Sequence, residues 1–173
     1  MEQKETVYLN SQKVTAKKKT LHVTPFDDLC IIGISTHMKD YKMAWHLNES
    51  LRLDLKKLSG FRLTPNDPIE HSFYYFDEGE NLNVFNLLKT QTEGQRIVLF
   101  QVPTDFLLII RNPVPEKRLI DIIGITRKIP EVQHAYIIDI IKNKQLDPLL
   151  ELIEFHEFNM IREQSSRKGP TRG

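Results

Sequence analysis

LCIIGISTHMKDYKMAW, residues 29–45, carries a strand signal followed directly by a helix signal. Residues 29–34 form a continuous apolar run of strand length, and Ser35, Thr36 and His37 close it. After that point, side chains spaced three and four residues apart predict the inward face of a helix. These residues are Tyr41, Ala44, Trp45, Asn48 and Leu51. We therefore expect a buried strand that leads straight into an amphipathic helix, with Trp45 as a core anchor.

Four short runs rich in aromatic and aliphatic residues follow this helix. They cover residues 71–76, 82–88, 97–102 and 106–111, and turn residues separate them. Because a parallel crossover needs a dozen or more residues, turns of this length favour antiparallel neighbours. The pattern predicts a meander of about four strands.

The last third of the chain returns to helices. Pro115 followed by Glu116 suits the first turn of a helix, where no amide donor is needed and negative charge is favoured. Residues 132–141 predict a further strand, and Asp147 with Pro148 predicts the start of a final helix. The complete pattern indicates an α+β fold: a largely antiparallel sheet of about five to six strands with three helices, arranged in a single layer of helices.

Length and composition indicate one domain. The chain has 173 residues, of which 40% are hydrophobic, enough for one core. We place that domain at residues 21–163, between a mobile basic N-terminal segment at 1–20 and a disordered basic tail at 164–173.

No stretch predicts export or a membrane span. The lysine-rich start of the chain lacks the apolar core of a secretory signal, and charges or prolines interrupt every apolar run before it reaches about 20 residues. We therefore expect a cytoplasmic protein with no membrane partner.

Cysteine and histidine usage argues against a metal centre. Cys30 is the single cysteine, so neither an intramolecular disulfide nor a cysteine zinc site can form. The six histidines do not show the spacing of a metal-binding helix. We predict no bound metal and no cofactor.

Two segments together carry a family resemblance. IPEVQHAY at residues 129–136, read with GISTHMKDYKMAWHLN at 33–48, resembles the IPExxxVDY family of small bacterial proteins. The similarity runs from about Leu29 to Ile140. It implies a bacterial origin, but it implies no reaction, since the family offers no established function to carry over. Where the family has Val-Asp-Tyr, this chain has His134-Ala135-Tyr136, so no role of that Asp transfers.

The strand-to-helix junction is the predicted ligand site. A helix N-terminus presents free amides to an anion, His37 and Lys39 could add positive charge, and Asp40 could orient one of them. Thr36 and, on the helix, Asn48 complete the candidate set. Thr36 and Asn48 also have a purely structural interpretation. Thr at this point is a common helix cap, and a buried Asn can be satisfied by hydrogen bonds to sheet backbone. Neither a Gly-rich phosphate loop nor a Gly-x-Ser-x-Gly elbow is present, so enzymatic activity is not favoured.

Apolar side chains continue around the final helix beyond one narrow stripe. They include Leu150, Phe155, Phe158 and Ile161. Because a broad apolar surface favours a partner, the leading hypothesis is a non-enzymatic protein-interaction or assembly module, with self-association through the C-terminal helix as the simplest form.

Two alternatives remain open. The first is a small anionic-ligand binder or enzyme that uses residues 36–40. The second is weak RNA association through the basic ends of the chain, although a net charge of +1 disfavours a nucleic-acid partner. The basic residues in question are Lys17, Lys18, Lys19, Arg167, Lys168 and Arg172.

Overall fold

The computed structural model describes residues 28–167. The predicted N-terminal segment 1–20, the start of the predicted domain at 21–27 and residues 168–173 lie outside the described residues. In chain order the elements are β1 (Leu29–Thr36), α1 (Asp40–Leu51), β2 (Lys56–Lys57), β3 (Phe73–Asp77), β4 (Val84–Lys89), β5 (Gln91–Thr92), β6 (Gln95–Arg96), β7 (Phe106–Arg111), α2 (Glu116–Lys128), β8 (Val132–Ile137) and α3 (Leu146–Arg167).

Six strands form one antiparallel sheet, in the order β2-β3-β4-β7-β1-β8, and β5 with β6 forms a separate small hairpin. β1 is an interior strand, because Ile32 lies opposite Leu108 of β7 on one side and Ile137 of edge strand β8 on the other. The predicted α+β class, the antiparallel sheet and the three helices are confirmed.

Helices cover both faces of this sheet, so the predicted single layer is wrong. On one face Ile32 packs in a cluster with Leu47 of α1 and Ile122 of α2. On the other face Ile31 packs with Ile153 of α3. Since successive strand residues point to opposite faces, a strand that is apolar at every position needs cover on both sides. The result is three layers, with α3 alone on its side.

The predicted strand at 97–102 does not form. β4 pairs directly with β7 over six residue pairs, which leaves no open ladder between them for another strand. The intervening chain instead makes the β5–β6 hairpin, whose turn uses positive φ angles at Glu93 and Gly94. Val98 is nevertheless buried, so the apolar run packs against the core without joining the sheet.

α1 buries a different face from the predicted one. Met43, Ala44 and Leu47 are its buried residues, while Trp45 is 57% exposed. Two apolar stripes with helical spacing overlap on this short helix, and the aliphatic stripe faces the sheet. The prediction of Trp45 as a core anchor is therefore wrong.

α3 is held to the sheet by a partly buried ion pair and extends further than predicted. Glu157 of α3 accepts a hydrogen bond from Arg111 of β7, which also donates to Asn86 Oδ1 at 2.8 Å. The helix continues to Arg167, so residues 164–167 are helical although the sequence predicts a disordered tail from 164. Ser165 and Ser166 donate their hydroxyls to carbonyls one turn earlier, at 3.0 Å, which keeps them compatible with the helix. From residue 28 to residue 167, every helix is too short or too polar to span a bilayer.

Candidate functional site

Thr36 is buried at the end of β1, where its amide and hydroxyl form three hydrogen bonds. Its amide donates to Asp105 Oδ2 at 2.9 Å, and its hydroxyl donates to the Glu131 carbonyl at 2.9 Å. The same hydroxyl accepts the Met38 amide at 3.2 Å. These three bonds fix the junction between β1 and α1, but Thr36 does not cap the helix: the N-cap residue is Lys39, which makes no side-chain cap bond.

Asp40 faces the sheet and not its neighbours His37 and Lys39. Its Oδ2 accepts hydrogen bonds from Lys57 Nζ at 2.8 Å and from the Tyr74 hydroxyl at 2.9 Å. Burial by itself would raise the pKa of this carboxyl, but hydrogen bonds from Lys57, Ser72 and Tyr74, with the charge of Lys57, hold its pKa well below the usual range. Asp40 therefore anchors the first turn of α1 to β2 and β3.

Asn48 bonds the backbone of the loop that follows α1. Its Oδ1 accepts the Leu55 amide at 2.8 Å, and its Nδ2 donates to the Leu55 carbonyl at 3.2 Å. This pair of bonds closes the turn after α1, where Arg52 adopts a left-handed conformation with φ of 56°.

His37 and Lys39 are exposed. His37 lines a shallow cavity of about 210 Å³ together with Thr36, Lys89 and Asp105. The structure thus brings Thr36 and His37 to one cavity, but it turns Asp40 towards β3 and places Asn48 near the other end of α1. The five predicted side chains do not converge on one site, and ligand binding at this junction stays a prediction.

A second cavity, of about 610 Å³, lies beside edge strand β8. Arg127, His134 and Tyr136 line it. Arg127 donates its Nε to the Ala135 carbonyl at 2.8 Å, and the Tyr136 hydroxyl lies 2.5 Å from Thr104 Oγ1. Both groups therefore brace the sheet edge.

The outer face of α3 presents a row of large apolar side chains to solvent. We call these four residues the α3 row, and their exposed fractions are 39, 66, 62 and 40%: Leu152, Phe155, Phe158 and Ile161. Leu150, which the sequence groups with them, is instead buried against the sheet. Three of the four apolar residues singled out in the sequence are therefore on the surface.

Charged residues bracket the two phenylalanines of this row. Glu151 precedes Phe155 by four positions, and Arg162 follows Phe158 by four. The Arg162 guanidinium lies over the Phe158 ring, 6.0 Å from its centroid. In the part of the chain that the structure describes, neither Glu151 nor Arg162 forms a salt bridge.

Sequence reasoning missed a smaller exposed aromatic pair on α1. Tyr41 and Trp45 are one helical turn apart and both face solvent, and the Trp45 ring contacts His46 edge to face with 4.8 Å between centroids. Their helical spacing was the only sequence signal, and it assigns them to the wrong face.

The two segments that carry the family resemblance touch each other. Lys42 of α1 forms a salt bridge with Glu131 at 2.5 Å, and the Thr36 hydroxyl bonds the Glu131 carbonyl. Comparisons with protein families, with curated proteins and with solved structures found no match. The resemblance to the IPExxxVDY family therefore stays a prediction.

Proposed function

We propose that this protein is a non-enzymatic protein-interaction or assembly module of the bacterial cytoplasm, and that it docks its partner on the outer face of α3. The observation that carries the proposal is the α3 row, four large apolar side chains on the outermost layer of the fold. Contiguous apolar surface of this kind marks interaction sites on soluble proteins.

The α3 row is not required to hold the domain together. The opposite face of the same helix already packs on the sheet through Leu146, Leu149 and Ile153, and Glu157 adds the ion pair with Arg111. Because most of the surface of Phe155 and Phe158 stays in water in the single chain, a partner that covers them would bury that apolar surface and gain free energy.

The rival functions have less support. Structural hydrogen bonds already use the polar atoms of Thr36, Asp40 and Asn48. Few groups at the α1 junction are therefore available to bind a ligand. The basic ends that RNA association would use are, apart from Arg167, outside the described residues.

The test compares complex formation in extracts of cells that produce the protein. Phe155→Ser/Phe158→Ser removes the aromatic part of the α3 row, and Tyr41→Ser/Trp45→Ser is the matched control on α1. We expect the wild type and the control to elute above the size of the 20.3 kDa chain, and the α3 variant to elute as a single chain. A single-chain size for the wild type, or an unchanged complex in the α3 variant, would overturn the proposal.

A further inference from the structure

We infer that the partner docked on α3 is a second copy of this chain, bound with the two α3 helices antiparallel. The inference rests on the proposed function and names its partner. It starts from the order of side chains along the outer face of α3, which is acidic, aromatic, aromatic, basic.

These four residues lie on one stripe of the helix. Glu151, Phe155, Phe158 and Arg162 are separated by four, three and four positions, the spacing of a helix-packing seam. At a rise of 1.5 Å per residue the stripe is about 16.5 Å long. All four are exposed, and the stripe lies opposite the face that packs on the sheet.

A two-fold axis midway between Phe155 and Phe158 makes this stripe complementary to itself. Reversing the direction of the second helix exchanges Phe155 with Phe158 and Glu151 with Arg162. Each Glu151 then faces the Arg162 of the other copy, and the four phenylalanines meet between the two ion pairs. Such an isologous contact, with one patch used twice, is the commonest arrangement of homodimers.

Charge selects the antiparallel direction. In a parallel pair, Glu151 would face Glu151 and Arg162 would face Arg162, and like charges across an interface are unfavourable. Both residues have no salt bridge within residues 28–167, so both are available to a second copy. The contact between Arg162 and the Phe158 ring already holds that guanidinium beside the apolar patch.

Sedimentation equilibrium of the full purified chain tests the inference through charge reversal. Glu151→Arg and Arg162→Glu each place like charges opposite each other, so each should weaken dimerisation about tenfold, while the double reversal should return the dissociation constant to within about threefold of the wild type. Glu49→Arg, an exposed acid on α1 across the sheet from α3, is the control and should leave dimerisation unchanged. Circular dichroism verifies that each variant is folded.

Two results would overturn the inference. A wild type that stays monomeric at millimolar concentration would exclude a second copy as partner. The proposal that α3 is a docking surface would then still be tested by complex formation in cell extracts. A dimer that the double reversal does not restore would contradict the antiparallel pairing of Glu151 with Arg162. Restoration by the double reversal, with both single reversals weakened, supports it.

Discussion

The phenol ring of Tyr136 lies directly over Gly33. A Cβ atom on residue 33 would be 2.9 Å from Cε1 and Cζ of that ring, and 3.1 Å from Ile138 Cδ1. Gly33 and Tyr136 are also register partners in the β1–β8 pair. The absence of a side chain at residue 33 therefore leaves room for the Tyr136 ring of edge strand β8 to pack over β1.

Gly33→Ala should destabilise the domain. Overpacking a well-filled site costs about 1–3 kcal/mol, because the Tyr136 ring must move. Gly124→Ala is the control: its Cβ would meet nothing within 4 Å, and it lies inside α2, where Ala is favoured over Gly by about 1 kcal/mol. Urea unfolding should show a lower midpoint for the first variant and an equal or higher one for the second. Equal losses in both would contradict the packing account.

Glu157→Ala should strongly destabilise the domain. It leaves the half-buried Arg111 guanidinium without its carboxylate, and breaking such a pair costs about 3–5 kcal/mol. Glu151→Ala, an exposed acid on the same helix, should change the free energy of unfolding by at most about 0.5 kcal/mol. Thermal unfolding of both variants at low protein concentration, where association contributes least, separates the two effects. A loss at Glu157 no larger than at Glu151 would be incompatible with the ion pair.

Asp40→Asn should destabilise the protein near neutral pH and become harmless in acid. The pKa of Asp40 is lower in the folded chain than in the unfolded chain, so its carboxylate contributes stability above the ordinary pKa of about 4, and that contribution is lost as the pH falls below it. We expect a deficit of about 1–3 kcal/mol at pH 7, the usual value of hydrogen bonds to a charged group. Urea unfolding from pH 7 to pH 3 should show the wild type and variant curves converging, and a constant gap would refute the assignment.

His71 should make the fold sensitive to mild acid. It is fully buried, and burial lowers the pKa of its imidazole, so the folded chain binds the proton less well than the unfolded chain. The contribution of neutral His71 to the free energy of unfolding is therefore fully present above the ordinary pKa of about 6.5, and it decreases as the pH falls below that value. A His71→Gln variant, which cannot titrate, should lose less stability than the wild type between pH 7.5 and pH 5.5. An identical loss in both proteins would show that other groups cause the pH dependence.

Local sequence patterns predicted most of the helices and strands, but they did not predict that β4 pairs with β7. β1 follows from its apolar run, and the start of α2 at Glu116 follows from its first-turn residues. The run at 97–102 has strand composition, yet the strand does not form, because the direct pairing of β4 with β7 is a contact between distant residues that no local pattern encodes.

The same limit applies to surfaces and to the site. On α1, two apolar stripes satisfy helical spacing, so the sequence could not tell that Trp45 is outside. The sequence could predict that Thr36 and Asn48 bond backbone groups, because both residue types commonly do so, although Thr36 does not cap α1. The Arg111–Glu157 ion pair could not be predicted from a local pattern, because it joins residues 46 positions apart.

Hydroxyl-radical footprinting of the purified protein, compared between dilute and concentrated solution, tests most directly whether α3 is the interaction surface. Tyr41 and Trp45 on α1 serve as internal references, because they are exposed aromatic residues on the opposite side of the sheet. The account predicts that oxidation of Phe155 and Phe158 decreases on concentration while that of Tyr41 and Trp45 stays constant. Protection of Tyr41 and Trp45 with Phe155 and Phe158 unchanged would contradict it.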